Sequence, residues 1–174
     1  MRFFSFLLAA FFVTSSANAQ TTVPTAAEVL KPVYAKAAAG NKKVLLIFHA
    51  SWCGWCRKMD ASLADETIKP LMDKNYEIAH LTVYESPSKK DLENPGALEL
   101  LSKHGGADQG LPYWFVLDKN GTVLSDSQYK PKKNTGCPAS EEEVAYFIDV
   151  LKKTSSLKDA ELDIIKKRFR KNEL

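Results

Sequence analysis

Three cysteines stand in a chain of 174 residues. Two of them, Cys53 and Cys56, are separated only by Gly54 and Trp55. At that spacing on a helix two sulfurs lie one turn apart on one face, close enough to close and reopen a small disulfide ring. The pair follows Val44 to Phe48, an apolar run of strand length, and precedes helix-forming sequence. Cys53 is thereby placed at a helix N-terminus, where unpaired N–H groups and the helix dipole favour an anion. Thiol acidification follows, and the thiolate is the attacking form of cysteine. Gly54 is read as the residue that lets the chain turn tightly, and Trp52 and Trp55 as apolar surface beside the sulfurs.

Other chemistries are open to the same residues. A zinc site would need Cys53 and Cys56 completed from His49, His80, His104 or Cys137, yet no second close pair exists and the histidines are scattered. Haem attachment requires His directly after the second cysteine, and Arg57 stands there. A purely structural disulfide is a further alternative, although this spacing makes an exposed, readily reduced ring. Cys137, in Asn-Thr-Gly-Cys-Pro-Ala, has nothing basic or helical to activate it and reads as a quiet thiol. His49 reads as packed or hydrogen-bonded at a strand end, with proton handling as its sharper alternative.

The elements that must position the pair follow from periodicity and punctuation. Thr25 to Gly40 reads as a helix with a Thr25/Glu28 capping box, a Gly40 stop, and a start or kink at Pro32. Val44 to Phe48 is a strand buried on both faces. Helical sequence runs from the cysteines to about Asn75. A strand follows at Tyr76 to Val83, then a long polar loop over 84–94 and a helix over Pro95 to His104. Pro112 opens the strand Tyr113 to Leu117, and Asp118-Lys-Asn-Gly121 turns into a return strand over Thr122 to Ser125. Lys130 to Pro138 reads as a loop. Ser140 caps a helix to about Thr154, and Lys158 to Arg170 is amphipathic, with Leu162, Ile165 and Phe169 on its stripe. The Trp114 side chain reads as core. Alternating helix and strand in the first half calls for parallel pairing, and the later hairpin makes the sheet mixed, with helices on both faces.

The ends bear on location. Arg2, the apolar run Phe3 to Val13 and the small residues Ala17 and Ala19 have the layout of a signal peptide over residues 1–19. The run is shorter than the ~20 apolar residues a membrane span needs, so no stable insertion is expected after cleavage. The remainder is of one-domain size. A net charge of +3 gives no reason to expect a nucleic-acid partner. Outside the cytosol disulfides persist, which gives a close cysteine pair redox meaning. The final Lys171-Asn-Glu-Leu174 is close to a retention signal of the endoplasmic reticulum lumen, the alternative to a periplasmic or secreted location.

Residues Val44 to Met59, a strand followed by Trp-Cys-x-x-Cys and a basic helix, resemble the thioredoxin superfamily. Gly110-Leu-Pro-Tyr-Trp-Phe-Val-Leu-Asp-Lys-Asn-Gly121 is similar to its second signature, a cis proline facing the cysteines and then a hairpin. The likeness covers roughly residues 28–154 and is nearest to exported bacterial thiol–disulfide interchange proteins. It implies a thioredoxin-like α/β fold with extra N- and C-terminal helices, on a domain spanning 20–174 whose C-terminal helical extension is 158–170. It implies that Cys53 attacks and Cys56 resolves. It also implies that Trp52, Gly54, Trp55, Leu111 and Pro112 contact substrate, Pro112 as the cis proline with Leu111 offering backbone groups. The implied activity is exchange with protein or peptide disulfides, without cofactor or metal, by a monomer served by an unidentified redox partner. A non-catalytic binding module for a metal or an unfolded client is the alternative. One position departs from the family: many thioredoxins bury an acid six residues before the first cysteine, and here that residue is Ile47.

Overall fold

The computed structural model describes residues 23–173. The expected signal peptide over residues 1–19 and the last residue of the C-terminal tetrapeptide, Leu174, lie outside them. The run Val44 to Phe48 becomes β1 (Lys43–His49), with all five of those residues buried. So apolar a strand needs partners at both edges and cover on both faces. It pairs in parallel with β2 (Tyr76–Thr82) and antiparallel with β3 (Tyr113–Leu117), and β3 pairs antiparallel with β4 (Val123–Asp126). The sheet order is β2-β1-β3-β4.

Alternation along β1 and β3 divides the core. Val44, Leu46 and Phe48 share one face with Tyr113, Phe115 and Leu117, beneath α1 (Ala26–Gly40) and α4 (Ala97–Lys103). Leu45, Ile47, Trp114 and Val116 face the other way. There they meet α2 (Gly54–Leu63), α3 (Lys69–Asn75), α5 (Glu141–Thr154) and α6 (Asp159–Arg170). Trp114 is fully buried at Ile47's register position. On α6 the stripe Leu162, Ile165 and Phe169 is buried, with the Phe169 ring 4.8 Å from that of Phe147.

Capping boxes close the starts of α1, at Thr25 and Glu28, and of α5, at Ser140 and Glu143. Three elements differ from the sequence expectation. Helix α1 does not start at Pro32 but continues through it, because the donor that proline lacks would have served the carbonyl of Glu28, an exposed residue in the first turn. The helix expected to reach Asn75 breaks between α2 and α3. There Asp65 accepts hydrogen bonds from the Thr67 N–H at 3.0 Å and hydroxyl at 2.6 Å, a local turn that competes with the helix. The loop expected from Lys130 contains a two-stranded ribbon, β5 (Gln128–Lys130) and β6 (Lys133–Asn134), turned by Pro131 and by Lys132 at φ 60°. Among the described residues no helix is long and apolar enough to cross a membrane.

Candidate functional site

Strand β1 delivers the chain to the start of α2, and Cys53 is the residue that caps it. With φ −75° and ψ 105° it lies outside the helix, and its Sγ accepts the Cys56 N–H at 3.0 Å. A thiolate at this atom would be favoured by that N–H and by the helix dipole. The two cysteines form a disulfide, their Cα atoms 5.3 Å apart. The ring is not exposed as the spacing alone predicts: each cysteine is only 2 % exposed. Ala50 and Leu111 pack against the sulfurs, while the apolar surface offered to solvent belongs to Trp52 and Trp55, at 57 % and 47 %.

Leu111, which packs beside the pair, is joined to Pro112 by a cis peptide, and Pro112 is buried. Trp55 and Leu111 line one groove of about 330 Å³ together with Gln109, Gly110 and the segment Asn134 to Cys137. The fold thus gathers Cys53, Cys56, Trp55, Leu111 and Pro112. Trp52 points elsewhere, its indole N–H donating to the Tyr84 carbonyl at 2.7 Å. Gly54 does not have the role expected of it. Its φ is not positive, and a Cβ there would meet only the end of the Arg57 side chain at 3.7 Å, so the turn does not require glycine.

Two residues unmarked in the sequence build the site from behind. Glu85, in a stretch read as polar loop, is buried at 4 % exposure. Its carboxylate accepts the Ser51 N–H at 2.5 Å and the Ser51 hydroxyl at 2.8 Å, holding the segment before Cys53. Burial alone would raise its pKa. The Ser51 hydrogen bonds, with the charges of Lys89 and His49, outweigh burial and hold it below the usual range. A carboxyl whose pKa is lowered on folding contributes stability above its unfolded pKa and loses it as pH falls through the folded value. Glu85→Ala is therefore expected to cost about 1.5–3 kcal/mol at neutral pH, the worth of hydrogen bonds to a charged group. The deficit should shrink in acid, as urea unfolding at the two pH values would show. The second such residue, Asn134, reaches the proline loop from the ribbon.

The remaining candidates lie aside. Ile47 is buried in the core, 1 % exposed, where the superfamily often places an acid. His49 Nε2 lies 3.2 Å from the Thr82 hydroxyl, and its ring is 5.1 Å from that of His80, which pairs with Asp60. Burial first, then the neighbouring His80, lowers the His49 pKa. Burial pushes the Cys137 thiol up to about 12, which keeps it protonated and a poor nucleophile. Asn172 Nδ2 donates to its sulfur at 3.3 Å. Among the described residues no three His, Cys, Asp or Glu side chains converge as a metal site.

A family model described as thioredoxin-like matches residues 28–119, more than half of the chain. The chain belongs to the thioredoxin-like family. No curated protein sequence matches it. Similar solved structures include a disulphide isomerase from Xylella fastidiosa Temecula1, with 24% identity over 83% of this chain and 88% of that one, at a TM-score of 0.49. DsbH oxidoreductase is 19% identical over 87% and 95%, at 0.46. The C-terminal domain of Neisseria meningitidis DsbD is 23% identical over 60% and 84%, at 0.40. The family match takes in the cysteine pair, the Leu111–Pro112 loop and β3, and ends before the β5–β6 ribbon and the last two helices.

Proposed function

We propose that this thioredoxin-like protein exchanges disulfides with proteins or peptides, Cys53 attacking and Cys56 resolving. The observation that carries the reading is a cysteine pair closed as a disulfide at a helix N-terminus, with a backbone N–H on Cys53 Sγ and an open groove alongside. In the reducing direction the Cys53 thiolate attacks a substrate sulfur. One S–S bond breaks, a mixed disulfide forms, and a substrate thiolate leaves and takes up a proton. Cys56, deprotonated, then attacks Cys53 Sγ and releases the second substrate thiol. The substrate gains two electrons and the protein is left oxidised, to be reduced again by a dithiol partner.

The groove beside Leu111 suits an extended chain, and Trp55 offers it apolar surface. The N-terminal pattern supports removal of a signal peptide at Ala19 and work in the periplasm or outside the cell, where such a pair has disulfides to act on. The test is insulin reduction by the dithiol form. Turnover that Cys53→Ser abolishes is the expected result. Absence of turnover by the unaltered protein, with clients still bound, would replace the reading with a non-catalytic binding module.

A further inference from the structure

Between β4 and α5 the chain makes an excursion, the β5–β6 ribbon, whose last residue meets the proline loop. Asn134 Nδ2 donates to three carbonyls of that loop: Gln109 at 3.2 Å, Gly110 at 3.2 Å and Pro112 at 3.0 Å. Its Oδ1 accepts the Gly136 N–H at 2.9 Å, so both ends of the amide are engaged. The ribbon is fixed independently. Gln128 Nε2 donates to the Tyr113 hydroxyl at 2.9 Å, and the Thr135 N–H donates to the Ser127 carbonyl at 2.7 Å.

The loop has little else to fix it. Asp108 and Gly110 both have positive φ, at 60° and 83°, and the side of Gly110 where a Cβ would stand is open. Of the four carbonyls from Gln109 to Pro112, Asn134 takes every one except that of Leu111. Among the described residues the Leu111 N–H and C=O make no hydrogen bond, and they border the groove beside Cys53. An unpaired N–H and C=O on one residue is what an extended peptide needs to pair as an added strand.

We infer that Asn134 is the positioning residue of the peptide-binding edge: it occupies the neighbouring carbonyls so that, of the four, the Leu111 carbonyl alone is left, with the Leu111 N–H, for the main chain of an extended disulfide substrate. This rests on the proposed exchange activity. Substrates with a peptide main chain should feel Asn134, and small disulfides without one should not.

The experiment compares a disulfide-bridged peptide with a small aromatic disulfide. For Asn134→Ala, KM for the peptide should rise about tenfold, the worth of one or two hydrogen bonds, with kcat at saturation retained. The rate with the small disulfide and the equilibrium of the pair with glutathione should be unchanged. Asn134→Asp keeps the acceptor for Gly136 but loses the donors. It should reproduce the KM change, which covers the case in which the alanine variant folds poorly. Lys130→Ala removes the exposed ion pair with Glu142 at the turn end of the ribbon, away from Asn134's own register partner Gln128, and should leave KM alone. An unchanged KM in both Asn134 variants, or equal losses with both substrates, overturns the assignment. A wild-type protein that reduces the small disulfide and never the peptide overturns the proposed function and the inference with it.

Discussion

Extracts expressing Cys56→Ser should accumulate client-sized adducts on non-reducing gels, and those expressing Cys53→Ser should not. Exposure does not decide this, since both cysteines are equally buried. Position does. Cys53 stands ahead of α2 as its cap, whereas Cys56 lies inside the first turn and donates its own N–H to the Cys53 sulfur. A substrate disulfide entering along Leu111 meets the sulfur that the helix favours as an anion. Without Cys56 the mixed disulfide has no internal thiol to displace it, and the cycle stops after one event. Without Cys53 the remaining thiol lies inside the turn, where its sulfur accepts no first-turn N–H, so turnover should be lost with nothing trapped. Adducts on Cys53→Ser alone would reverse the roles.

Phe169→Ala should lower stability by about 3–5 kcal/mol, the cost of emptying a fully buried aromatic site. A domain commands only about 5–15 kcal/mol in all. Phe169 packs on Phe147 in the same core as Leu45 and Ile47, so α6 closes the sheet face behind the redox helix. The end of α6 and the turn after it also grip α2 and the residues that follow it. Lys58 donates to the Asn172 carbonyl at 3.0 Å, Ser62 Oγ lies within hydrogen-bond distance of the Asn172 amide, and Arg168 Nε donates to Asp65 at 2.7 Å. Urea unfolding checks the loss. A change well under 1 kcal/mol would mean the site collapses around the missing ring.

Most of this frame could be read before any coordinates, because the signals are local and repeated. Five apolar residues in a row at Val44 to Phe48, Ser140 with Glu143, the Leu162/Ile165/Phe169 stripe and Asp118 to Gly121 each say one thing about their own neighbourhood. The cysteine pair announces its chemistry in four residues. What stayed hidden depends on partners far along the chain. Asp65 breaks a helix through Thr67 nearby, but its turn is also held by Arg168, 103 residues on. Glu85 looks like any solvated acid until Ser51 arrives from 34 residues away and turns it into an anchor. The ribbon is two short polar strands without alternation, held by side-chain amides that carry no periodic signal.

The pairing of β1 with both β2 and β3 sets the order in which activity can arise during folding. The β1–β2 ladder and the α2 turn close over modest loops, so a nascent chain can hold its two thiols near each other early. The Leu111 edge reaches the thiols only once β3 docks on β1, joining Ile47 to Trp114, and the ribbon adds Asn134 later still in sequence. Long-range closures of this kind are the slow steps of folding. A half-folded chain is therefore a dithiol without a client surface. Recovery of peptide reduction during refolding should lag the return of helical signal, and that lag would time the docking of β3.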